Sequence, residues 1–143
     1  MTRPNRIGPL LGAVLLSLWS GLTAAEVVIV VSSKSPVATL TKNQVIDIFL
    51  GRSSRFPNGE QATPIDQPEA SSMREAFYGE FVGKSAAQLK AHWSKIIFTG
   101  RGQPPRIVPT SADVKKLLAA NPSAIGYIEV SQVDPSVRVL RPP

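Results

Sequence analysis

The chain has 143 residues, 43% of them hydrophobic and 18% charged, with a formal net charge of +6, which fits a single soluble domain with one core. It has no cysteine and a single histidine, so disulfide staples, thiolate chemistry and zinc sites built from Cys and His are excluded. The basic residues are scattered, without the long cationic runs of a nucleic-acid tail, and no nucleic-acid partner is expected.

Met1 to Pro9 carries Arg3 and Arg6, Leu10 to Leu22 is an uncharged apolar run, and Thr23-Ala24-Ala25 places small residues before Glu26. That is the layout of a secretory signal peptide over residues 1-25, and the apolar run is shorter than the roughly 20 residues that span a bilayer. The expected mature chain is one domain over residues 26-143, exported to the periplasm. Contact with the membrane is expected only through a partner.

Glu26 to Val31 is a continuous β-branched run, the pattern of a strand covered on both faces. After Ser32 to Pro36, Thr41 and Gln44 form a capping box, and the helix they open turns Val45, Ile48 and Phe49 inward before Gly51 stops it. Ala62 to Asp66 is a short strand in which Pro64 argues for an edge or a strand start. Ser72 followed by Glu75 reads as a second capping box, and Met73, Phe77 and Phe81 give its helix an apolar face. Gly83 marks the stop. Ser85 and Gln88 form a further capping box, opening a helix with Leu89, Trp93, Ile96 and Ile97 on one face, ended by Gly100. Arg106 to Val108 is a strand, and Ser111 caps a helix with Val114, Leu117 and Leu118 inward. Ala124 to Val130 and Val137 to Leu140 are the last strands.

Strands alternating with helices predict an α/β domain of three layers, a sheet with helices on both faces. Ligands of such sheets gather beyond the carboxyl ends of the strands. If the strands are parallel, the loops Ser32 to Ser35 and Gln67 to Ser72 both lie there.

The stretch Pro64 to Phe77 brings a strand end, a tight loop and a serine-flanked helix start to one point, an arrangement that suits either a plain N-cap or an anion site. Arg74 in the helix and Arg101 on the Gly/Pro loop are the cations within reach by sequence, and a guanidinium fork matches phosphate or carboxylate. His92 reads as a packing or surface residue, and no nucleophile-elbow pattern accompanies it. Gly100-Arg101-Gly102-Gln103 has neither the lysine nor the spacing of a phosphate loop. Asp66 and Glu69 read as a turn acid and a charge near a helix start rather than as an acid/base pair. No enzyme activity, cofactor or metal is expected.

Val27 to Val31, Leu40-Thr41 through Ile48-Phe49-Leu50-Gly51, Pro64 to Ser72 and Ala124-Ile125-Gly126-Tyr127 follow one another in an order that resembles the phosphate-binding proteins of ABC importers, which are type II periplasmic binding proteins. The resemblance covers most of residues 26-143 and matches the later lobe of that two-lobed family. It implies a fold like one such lobe and a loop of the type R-S-D-G-S-G-T that grips phosphate. On this chain that loop falls at Asp66 to Ser72. Ser72 keeps the final hydroxyl, Ser71 stands at a glycine position, Ala70 replaces a serine, and Asp66 replaces the arginine. The expectation is a periplasmic binding domain for a small anion, phosphate first, linked to ABC-type uptake, with Gln67, Ser71, Ser72, Arg74 and Arg101 as ligand-binding residues. Its partner would be an ABC permease or another envelope protein. The alternative is an envelope interaction module that kept the fold and binds no solute.

Overall fold

The computed structural model describes residues 26-143, so the signal-peptide expectation lies outside the described residues. Within them, five strands form one sheet: β1 (Val27–Ser32), β2 (Thr63–Asp66), β3 (Arg106–Ile107), β4 (Ala124–Glu129) and β5 (Val137–Leu140), in the order β3-β2-β4-β1-β5. The helices are α1 (Lys42–Phe49), α2 (Ser72–Ala76), α3 (Ala86–Phe98) and α4 (Ser111–Ala120); α2 continues as a π-helical turn over Phe77–Val82, and a 3-10 turn spans Val130–Gln132. None of the described helices is long and apolar enough to cross a membrane.

Alternation along β4 distributes the layers. A Cβ on Gly126 would meet Val114 of α4 at 2.6 Å, so α4 packs on that face. The next residue, Tyr127, points the other way, its ring 4.2 Å from that of Phe77 and 5.9 Å from that of Phe49 on α1. Helices thus cover both faces, as expected for the α/β class. Strand β1 lies beside β4 with Ile29 opposite Tyr127 and Val30 opposite Gly126, so its alternate residues enter both layers. Ile29, Val30 and Val31 are all buried, which accounts for the continuous apolar run.

Strand direction corrects one expectation. β2 runs parallel to β3 and β4, whereas β1 runs antiparallel to both β4 and β5. Ser32 at the end of β1 therefore faces Val137 at the start of β5, and the Ser32 to Ser35 loop lies at the edge of the sheet opposite Gln67 to Ser72. Hydrophobicity reports burial, not direction, so a two-sided apolar strand reads the same either way. Strand β2 is also interior, not an edge. Pro64 is tolerated because the ladder to the two-residue β3 begins only at Ile65.

Two of the three expected capping boxes form. Thr41 accepts from the Gln44 N–H at 3.2 Å while Gln44 accepts from the Thr41 N–H at 2.8 Å, and Ser85 and Gln88 repeat the pattern at 3.2 and 2.9 Å. For α4 the cap is Thr110, one residue before the expected Ser111, with its hydroxyl accepting from the Asp113 N–H. On α3, Leu89 and Trp93 are buried and Ile96 packs at the margin, but Ile97 is 55% exposed because it lies one step past the stripe.

Candidate functional site

Strand β2 delivers Asp66 into the sheet at its carboxyl end, and the chain turns over Gln67 to Ser71 before α2 begins. Asp66 is 2% exposed. A buried carboxylate is costly unless donors surround it, and here they do. Tyr78 donates to Oδ2 at 2.8 Å, the Gln67 N–H donates to Oδ1 at 2.8 Å, and the Tyr127 hydroxyl makes a short hydrogen bond to Oδ1. The Arg74 guanidinium stands 3.9 Å from Oδ2, over the Tyr78 ring. Burial, followed by the charge of Asp66 and the hydrogen bonds to it, pushes both phenols well above the ordinary 10.0. Asp66 is thus no loose turn acid. Its charge is enclosed and matched.

Gln67, 3% exposed, ties the turn to its neighbours. Its Nε2 donates to the Tyr127 carbonyl at 3.0 Å and to Ser111 Oγ at 3.5 Å, its Oε1 accepts from Ser71 Oγ at 3.2 Å, and its carbonyl accepts from Arg74 at 3.3 Å. The side chains of Gln67, Ser71 and Arg74 are therefore brought together, but toward one another. Ser71, not Ser72, is the N-cap of α2, and the Ser72–Glu75 capping box does not form. The Ser71 hydroxyl is drawn to Gln67 and makes no cap hydrogen bond. The first N–H groups of a helix have no partner within it, so those of Ser72 and Met73 are left open, with the exposed Ser72 hydroxyl beside them. Arg101 is exposed on the loop after α3, and among the described residues its side chain makes no hydrogen bond or ion pair to the turn. His92 donates through Nε2 to the Leu50 carbonyl, 2.8 Å away at the end of α1, a packing role. The described residues include no His/Cys/Asp/Glu cluster able to hold a metal.

Tyr78 and Tyr127 are the residues around Asp66 that sequence reasoning passed over. The signal was a tyrosine in an otherwise apolar strand, Ala124-Ile125-Gly126-Tyr127, since a buried phenol needs a polar partner. What it partners is decided sixty-one positions away.

The sheet is mixed and covered on both faces, with a polar turn at the carboxyl end of β2 leading into α2, and solved structures of solute-binding proteins share this fold. One, described as a phosphate ABC transporter substrate-binding protein from Clostridium perfringens with bound phosphate, matches 82% of this chain and 44% of its own at 26% identity and a TM-score of 0.64. An ABC-type phosphate transport receptor from Vibrio cholerae matches 82% of this chain and 46% of its own at 20% identity and a TM-score of 0.64. PstS from Borrelia burgdorferi matches 81% and 46% at 12% identity and a TM-score of 0.61. The chain is similar in fold to part of these binding proteins and spans less than half the length of each. No protein-family model and no curated protein matches the sequence.

Proposed function

We propose that the chain is an extracytoplasmic binding lobe for a small oxyanion, phosphate in the first instance, acting with an ABC-type permease. The observation that carries this reading is the open start of α2. Where α1, α3 and α4 have their N-cap hydroxyls turned onto the helix, α2 has no side-chain cap hydrogen bond, and its start, with the exposed Ser72, lies at the carboxyl edge of the sheet. The likeness to a protein solved with bound phosphate supports it. Gln67 and Ser71 shape the turn, and Arg74 offsets the Asp66 charge that would otherwise repel an anion. Arg101 contributes exposed positive charge.

Thermal unfolding with phosphate titrated at constant ionic strength tests the reading, since salt alone alters a basic protein. The expected result is a saturable rise in Tm, several degrees at about a hundred times the dissociation constant, absent with chloride and abolished by Ser72→Asp. A flat response to phosphate sinks it.

A second reading, an interaction module that binds no solute, has its own observation behind it. The Gln67 N–H and the Arg74 guanidinium, donors an incoming anion would use, are already engaged by Asp66 and the turn itself. On this reading, phosphate leaves Tm unchanged, and a stable envelope partner co-purifies equally with the wild type and Ser72→Asp.

A further inference from the structure

The donors around Asp66 have the form of an anion site whose anion is part of the chain. Two phenols, a backbone N–H and a guanidinium come from three separated pieces of sequence and converge on one carboxylate. Three groups that donate hydrogen bonds to the carboxylate and one cation 3.9 Å from it form the composition expected of a pocket for a small carboxylate. The same contacts shape the turn. Gln67 is held by its N–H to Asp66 and by its side chain to Tyr127 O, and Ser71 is held in turn by Gln67.

We infer that Asp66 is a built-in ligand: its carboxylate fills a donor cradle of Tyr78, Tyr127, Gln67 N–H and Arg74, locking the Gln67 to Ser71 turn in one shape with no solute bound. Removing the carboxylate therefore leaves a site for a free carboxylate of matching size. Asp66→Ala vacates the volume of formate, and Asp66→Gly that of acetate. This inference concerns residues other than the open start of α2 and stands whether or not phosphate binds there.

The test is thermal unfolding of the wild type, Asp66→Ala, Asp66→Gly and Val45→Ala, with sodium formate or acetate replacing chloride at fixed ionic strength. Val45 is fully buried on α1 and is not one of the groups around Asp66, so its variant reports general effects of the salts on a weakened fold. The expected result is a saturable Tm rise with formate for Asp66→Ala and with acetate for Asp66→Gly, and none for the wild type or Val45→Ala. The only two tyrosines in the chain are Tyr78 and Tyr127, so tyrosinate absorbance reads the cradle directly. In Asp66→Ala they should ionise at lower pH than in the wild type, and formate should move the titration back up. If Asp66→Ala does not stay folded in chloride, refolding it in formate is the same test. Failure of both anions to stabilise their matched variants beyond Val45→Ala, or failure of formate to refold Asp66→Ala, overturns the inference. A phosphate response of the wild type bears only on the α2 site.

Discussion

Asp66 changes meaning between sequence and structure. In sequence it is an acid at the end of a short strand, standing where the resemblance has an arginine, and so a charge that would repel an anion. In the fold it is enclosed by Tyr78, Tyr127, Gln67 and Arg74. The pH dependence follows from the phenols. Their folded values are raised above the ordinary 10.0, so this part of the stability is complete below about pH 10 and is lost as the pH rises through the folded values. Tyrosinate absorbance and circular dichroism followed together upward from neutral pH should therefore change in one step, with ionisation accompanying unfolding. Gradual ionisation near pH 10 with native dichroism would show that the phenols are not held by Asp66.

Elements show where local chemistry is sufficient. The capping boxes at Thr41 and Ser85 form as read because both partners lie within four residues, and no distant group competes for them. At α2 the competing partner, Gln67, is itself fixed by a distant strand. Ser71 bonds Gln67, Gln67 bonds strand β4, and the helix start moves by one residue. Gly51 and Gly126 carry two other constraints that sequence shows only as glycine. Gly51 has φ +72°, and a Cβ there would come within 2.8 Å of the Trp93 ring. At Gly126 a Cβ would press into Val114. Gly126→Ala is expected to destabilise the fold by about 1–3 kcal/mol through overpacking between β4 and α4, measured by denaturant unfolding. A smaller loss would mean that α4 shifts to accommodate the methyl.

At the scale of the molecule, α4 is also tied to the chain leading into β5. Lys115 donates to Asp134 at 2.7 Å, and Ser136 donates to the same carboxylate through its N–H and hydroxyl. These contacts, that of Lys115 foremost, hold Asp134 down from 3.8 to about 2. A depressed carboxyl contributes stability above its unfolded value and loses it as the pH falls from about 4 toward 2. The pair is partly exposed, so the effect on stability is small. The titration is the better measurement: in Lys115→Ala the Asp134 carboxyl should titrate closer to the ordinary carboxylate range by NMR. An unmoved value would assign the shift to Ser136 alone.

The sequence by itself determined the α/β class, the two capping boxes, the helix stops at Gly51, Gly83 and Gly100, and the place of the polar turn after β2. Each follows from residues within a few positions of one another, where backbone preference and hydrophobic period act directly. Only the tertiary structure decided that β1 runs against its neighbours, that Ser71 serves Gln67 rather than α2, and that Asp66 is neutralised from within. Those outcomes depend on which distant groups satisfy a buried polar atom. Burial sets that requirement, and the folded topology supplies the partner.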